Sequence, residues 1–205
     1  MKFFYLIIGA VCIAVFLISA SVYIIFFNNN GNGNGFSKCR AGQVAGNIGG
    51  SFSLINEDGI VVTDIDVIKR PSLIYFGYTF CPDICPLDTY RNAEAVTLLE
   101  EDGYDVTPIF ITFDPVRDTP EVLKQFTDYM HPKMVGLTGS IDEIKKVAKK
   151  YRVYFKKQNT DDSENYLVDH TAFTYLVLPE IGFVDFFRRE LTAEQLAEKV
   201  SCFIK

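Results

Sequence analysis

The chain has 205 residues, of which 48% are hydrophobic, and a formal net charge of −6 at pH 7. That length holds one domain of ordinary size with something added. No basic cluster offers a surface for nucleic acid, so nucleic acid is set aside as a partner.

The addition is N-terminal. Residues 3–27 carry no charged side chain and are dominated by Phe, Ile, Leu, Val and Ala. About 20 apolar helical residues cross the hydrocarbon core of a bilayer, so residues 1–27 are expected to form an uncleaved transmembrane anchor. A cleaved signal peptide is the rival reading, with Ile18-Ser19-Ala20 as its cleavage site. The apolar run continues through Val22 to Phe27, which is unlike the short apolar region of a signal. Lys2 before the span favours a cytoplasmic N-terminus with the domain outside. No Arg-rich transit peptide precedes the span. Residues 28–45, opening with "NNNGNGNG", read as a flexible tether, because glycine and asparagine build no core. The folded domain is expected over 46–205.

Within it, "GGSFSLINEDGIVVTD" predicts two short strands around a Glu57-Asp58-Gly59 turn, with Phe52, Leu54, Ile60 and Val62 alternating with polar neighbours. Ser72–Tyr78 is a short aromatic-rich run that fits a strand buried on both faces. A helix follows, with Pro86 in its first turn, Leu87, Tyr90, Ala93 and Val96 at helical spacing, and Gly103 closing it. Val106–Phe113 is the next strand. Thr119-Pro120-Glu121 opens a helix to about Met130, and "MVGLTG" is a short strand. Ser140 caps a helix through about Lys150, and "YRVYF" is a further candidate strand. A polar loop, Asn159–Asn165, precedes "AFTYLVL" and "FVDFF", two strands joined by "PEIG". Thr192 caps the last helix. This alternation implies a central sheet with helices packed on it.

Chemistry concentrates in "CPDICP". Cys81 and Cys85 sit at the junction between a buried strand and a helix, Cys85 just before the helix start, the edge position where α/β sheets bind ligands. The helix N-terminus favours a thiolate, which serves both as nucleophile and as metal ligand. The C-x-x-x-C spacing therefore leaves a redox pair and a two-sulfur chelate both open. Two sulfurs do not complete most metal sites, so a third ligand is sought. His131, before Pro132, reads as a surface-loop residue. His170 stands at a loop just before an apolar strand, with Asp169 beside it as a loop or capping residue. Of the other cysteines, Cys12 in the span and Cys202 in an apolar C-terminal stretch read as small apolar packers. Cys39 has no assigned role.

The segments "YFGYTFCPDICP", "FITFDPVRDTP", "VGLTGS" and "YLVDHTAFTYLV" together resemble the Sco/SenC family of membrane-anchored copper proteins. The resemblance runs from about Ile48 to the end and includes Tyr166 four residues before His170. It implies a thioredoxin-like α/β fold, with the N-terminal β-hairpin and the transmembrane helix added. It implies one copper held by Cys81, Cys85 and His170, and a role in maturing the binuclear copper centre of cytochrome c oxidase, whose copper-site subunit is then the partner. With the anchor, it places the protein in a bacterial inner membrane with its domain in the periplasm. Asp114-Pro115-x-Arg117-Asp118 is a family hallmark read as structural. Soft thiolates favour Cu(I), and imidazole accepts Cu(I) and Cu(II).

The alternative function is a thiol-disulfide oxidoreductase that keeps the oxidase cysteines reduced, with Cys81 and Cys85 as its redox pair. The absence of proline in "VDHTAF" speaks against it. A peroxidase has no need of the histidine. A plain tethered interaction domain leaves the two-cysteine, one-histidine set unexplained.

Overall fold

The computed structural model describes residues 13–21, 36, 38–40, 46–158, 162 and 165–205. The chain divides into two compact units, Met1–Lys38 and Cys39–Lys205. In the first, residues 13–21 are helical. Most of the expected anchor lies outside the described residues, and among those described no helix is long and apolar enough to cross a membrane.

The second unit runs β1 (Ser53–Asn56), β2 (Val61–Thr63), α1 (Asp64–Val67), β3 (Ser72–Gly77), α2 (Ile84–Glu101), β4 (Thr107–Thr112), α3 (Pro120–Met130), β5 (Val135–Thr138), α4 (Ile141–Lys150), β6 (Phe155–Lys157), β7 (Val168–His170), β8 (Phe173–Leu178), β9 (Gly182–Arg188) and α5 (Ala193–Ile204). Seven strands form one mixed sheet in the order β2-β1-β5-β4-β3-β8-β9. β3, β4 and β5 are parallel, while β1, β2, β8 and β9 join antiparallel. β6 and β7 form a separate two-stranded sheet, with Phe155 opposite His170. The α/β architecture, with helices flanking a central sheet, is the one expected.

The core lies on β3 and β4, where every residue is buried. Ile74, Tyr75, Phe76, Ile109, Phe110 and Ile111 are almost inaccessible, and each such side chain contributes about 1.5–3 kcal/mol relative to exposure. At the end of β3 a Cβ on Gly77 would fall 2.8 Å from the Phe110 ring. Glycine there lets the chain leave the sheet against an aromatic wall. Helix ends follow the sequence signals. Thr119, Ser140 and Thr192 cap their helices through their side chains, and Gly103, at φ 85°, ends the last turn after α2.

Three details depart from expectation. α1 is an additional turn that rests on a Thr63/Asp66 capping box. Ile60 does not alternate into the core. It is exposed in the β1–β2 turn, where its N–H donates to the Asn56 side chain at 2.8 Å. Cys202 is not an apolar packer. It is exposed and forms a disulfide with Cys39, across 163 residues of sequence. The Arg40 Nε donates to the Val184 carbonyl at 3.0 Å, so residues 39 and 40 are fastened to the domain. Cys12 lies outside the described residues.

A cross-link removes loop-closure entropy from the unfolded chain, by about 5 kcal/mol for a loop of this size in the chain-entropy account. Cys39→Ser/Cys202→Ser is expected to lose about 2–5 kcal/mol of stability, seen as a lower denaturant midpoint than the oxidised wild type. Reductant should lower the midpoint of wild type but not of the double variant. Equal midpoints for oxidised wild type and variant would exclude a stabilising bridge.

Candidate metal centre

β3 delivers the chain to its carboxyl end, and the turn that follows carries the first cysteine. The Cys81 N–H donates to the Tyr78 carbonyl at 3.3 Å. α2 begins at Ile84, so Cys85 is its second residue and lies within the first turn rather than just before the helix. There the helix N-terminus leaves N–H groups without intrahelical partners. One of them, on Cys85, donates to the Cys81 sulfur at 3.4 Å. Pro86 follows where a missing N–H costs nothing.

His170 ends β7 and brings its Nε2 to 3.3 Å from the Cys85 sulfur. Nδ1 lies 3.1 Å from the Thr171 carbonyl. A carbonyl only accepts, so Nδ1 carries the proton and Nε2 presents its lone pair to the sulfurs. The two sulfurs and the imidazole nitrogen all lie within 4.8 Å of one another. The ring is wedged edge-on to Tyr78 and against Phe113, at 6.1 and 4.8 Å between centroids. Phe113 in turn stacks on Phe155 of β6, at 5.3 Å.

Two carboxylates after β4 hold these segments together. Asp118 is fully buried and accepts from the Thr79 N–H at 3.0 Å, the Thr79 hydroxyl at 2.5 Å and the Thr112 hydroxyl at 2.6 Å. This pins the cysteine turn to β4. Asp114 accepts from the Tyr166 hydroxyl at 2.6 Å and pairs with Arg117 at 2.6 Å. The Arg117 guanidinium lies 3.6 Å over the Tyr166 ring. This pins the segment that leads to His170. The Tyr78 hydroxyl accepts from the Val168 N–H at 3.3 Å and ties the cysteine turn to β7 directly.

The sulfurs share their protons unequally. A hydrogen bond from the Cys85 thiol holds Cys81 well below the ordinary thiol range; the backbone N–H groups of Asp83 and Cys85 add to this against the effect of burial. The same hydrogen bond and burial push Cys85 up. Ionisation of the pair therefore favours Cys81 over Cys85. Cys85 has no accessible surface and Cys81 is 8% exposed, so the thiolate is the sulfur nearer solvent.

The structure brings Cys81, Cys85 and His170 together as the sequence implied. His131 stands apart from them and is not a surface residue. It is 6% exposed, its Nδ1 accepts from the Lys133 N–H at 3.1 Å, and burial lowers its pKa. A His-Pro step after a helix can fold inward as readily as outward, and a single sequence does not separate the two. Asp169 is exposed and accepts from Gln158 at 2.7 Å, on the strand face opposite its neighbour. Sequence reasoning passed over Tyr78, Thr79 and Phe113. Their nearness to the motif was the available signal.

Fold and site define a class: a thioredoxin-like α/β domain with two thiols and an imidazole converging beyond the carboxyl end of a central strand. Within that class the chain belongs to the SCO1/SenC family, whose model matches residues 40–205. It is 53% identical over 171 residues to Protein SenC of Rhodobacter capsulatus, covering 82% of this chain and 77% of that one. It superposes on Arabidopsis thaliana ScoI with copper bound at a TM-score of 0.73 and 43% identity, over 77% of this chain and 98% of that one. Against yeast Sco1 with copper bound the TM-score is 0.70 at 41% identity, over 78% and 89%.

The proton arrangement is open to measurement. Cys81 should alkylate first, and should keep reacting as pH falls below the ordinary thiol range, because its thiolate persists there. Cys85→Ser should move the Cys81 midpoint back up, since the Cys85 thiol is the main source of the depression. Mass-resolved labelling across a pH series would refute this if Cys85 reacted first.

Proposed function

We propose that the domain is a copper chaperone for cytochrome c oxidase: it holds one copper between Cys81, Cys85 and His170 and delivers it to the subunit that carries the binuclear copper centre. The observation that carries this reading is the convergence of two sulfurs and an imidazole lone pair within 4.8 Å. The donor set suits copper. Thiolates favour Cu(I), and imidazole serves both oxidation states. A structural zinc site ordinarily closes with four ligands, and the group found among the described residues has three. A three-donor site leaves copper open to an incoming thiolate, so ligands exchange one at a time without a free ion.

Residues 3–27 anchor the chain in a bacterial inner membrane, with the N-terminus in the cytoplasm and the domain in the periplasm. The Cys39–Cys202 disulfide supports an oxidising compartment. The remainder of the tether holds the domain off the bilayer.

A second reading is favoured by the depressed Cys81 thiol: the domain reduces the cysteines of its acceptor and closes a Cys81–Cys85 disulfide in doing so. The two thiols of this domain are oxidised as the acceptor disulfide takes up two electrons and two protons. An imidazole lone pair aimed at the sulfurs has no necessary part in that exchange.

The reduced domain without residues 1–34 should bind one equivalent of Cu(I). Cys81→Ser, Cys85→Ser and His170→Ala should each weaken binding by at least the roughly 10–100-fold seen on losing an outer-shell partner. His131→Ala should leave affinity unchanged. His170→Ala should keep a reducible Cys81–Cys85 disulfide yet fail to pass copper to a reduced oxidase copper-site domain. Unaltered transfer by that variant would rule out delivery through this centre. A wild type that reduces the acceptor but never transfers copper would establish the second reading instead.

Topology has its own check. A reporter active only outside the cytoplasm, fused after Lys205, should be active. A reporter active solely in the cytoplasm would reverse the orientation.

A further inference from the structure

We infer that the exposed apolar rim made by Phe80, Leu87, Tyr90 and Val116 is the docking face for the protein that accepts the metal. The inference rests on the delivery reading above and names its contact surface.

The donors are recessed. Cys85 has no accessible surface and Cys81 shows 8% of its own. A metal–sulfur bond is about 2.3 Å long, so an accepting sulfur must come nearly into contact with the centre. It can do so only by pressing on the surface around Cys81.

That surface is apolar in an acidic chain. Phe80 precedes Cys81 and is exposed. The Arg117 guanidinium lies 4.8 Å over the Phe80 ring, and Val116, next to Arg117 in the chain, is exposed. Leu87 and Tyr90, also exposed, lie three residues apart on the solvent side of the first turns of α2. Between residues 80 and 90 the one exposed charge is Asp83, since Asp88 is buried. α3, α4 and α5 each place an acidic residue in the first turn, where the helix dipole favours it. α2 has none, and presents Ile84, Pro86 and Leu87 instead. Exposed apolar side chains gathered around the cysteine turn and the first turns of α2, with a tyrosine among them, are of the kind that marks protein interfaces.

The occupant is a folded domain with its metal-accepting thiolates on a projecting loop. A second copy of this chain fits the need poorly. Its sulfurs are equally recessed, so two rims pressed together keep both centres out of bonding reach.

The test uses the full chain in detergent, loaded with Cu(I), and the variants Leu87→Ser/Tyr90→Ser and Val116→Ser. Transfer is followed to two acceptors: a reduced, metal-free oxidase copper-site domain, and bicinchoninate, a small chelator that needs no docking. The double variant should transfer to the protein acceptor at least tenfold more slowly, with chelator capture and Cu(I) affinity as in wild type. An unchanged rate to the protein acceptor overturns the docking face. So does self-association that the double variant abolishes while transfer persists, which would assign the rim to a second copy. Backbone NMR of wild type with the acceptor gives a measure independent of any variant. Perturbations centred on residues 80, 87, 90 and 116 support the face, and perturbations centred elsewhere overturn it. If wild type yields copper to the chelator but none to the protein, delivery fails, and the NMR map alone then decides whether this rim docks the partner.

Discussion

The centre depends on one pair of buried carboxylates. Asp114 and Asp118 stand four residues apart on the loop after β4, and each holds a different remote segment. Asp118 grips the cysteine turn through Thr79, and Asp114 grips the approach to His170 through Tyr166. Burial pushes the Asp118 carboxyl up, and its three donors oppose that. A carboxylate in such a place is stable only while its donors remain. Removing a donor leaves a buried acceptor unsatisfied, at a penalty of about 1–3 kcal/mol, and more for a charged group. The two loops are therefore fixed in register with β4 and, through it, with each other.

That register matters because the donors are distant in sequence. Cys85 and His170 are 85 residues apart and come to 3.3 Å. His170 is not on the main sheet. It ends a two-stranded hairpin, which on its own is marginally stable. The aromatic wedge of Tyr78, Phe113 and Phe155 and the Tyr166–Asp114 hydrogen bond supply what the hairpin lacks. Donors held in place by packing and hydrogen bonds need little ordering when metal arrives. The hallmark acidic loop is thus structural, as the sequence suggested, and its work is to position the two ends of the site.

What was readable in the sequence follows from how local each signal is. Helix caps such as Thr119, Ser140 and Thr192 are written within four residues, and their helices begin where those residues stand. The Cys81–Cys85 pair and its place between strand and helix are equally local. His170 was singled out by resemblance, because a lone histidine before a strand has no spacing of its own. The disulfide was missed for a related reason. Cys39 and Cys202 sit at opposite ends of the domain, and nothing near either one names the other. Parity held the available hint: in a domain expected outside the cytoplasm, two cysteines beyond the candidate pair point to a bridge. His131 and Ile60 went wrong because the sequence fixes neither the inward turn of a His-Pro step nor where a strand gives way to its turn.

The proton arrangement bears on what kind of metal protein this can be. Before metal binds, the Cys81 thiolate is stabilised by a hydrogen bond from the Cys85 thiol. A metal bound by both sulfurs would have to break that bond and displace about one proton, so part of its binding energy would be offset by an interaction already present. A resident cofactor site gains nothing from such competition. A carrier does, since it must hold the ion against loss to solvent yet release it to a stronger site. If metal is delivered as proposed, the thiol–thiolate hydrogen bond would re-form on release and stabilise the metal-free site. The sulfur nearer solvent is the thiolate, and the one on the floor of the site recovers the proton. On the delivery reading, an acceptor approaching over the proposed rim would meet Cys81 first, while Cys85 and His170 would keep hold of the ion until the exchange was under way.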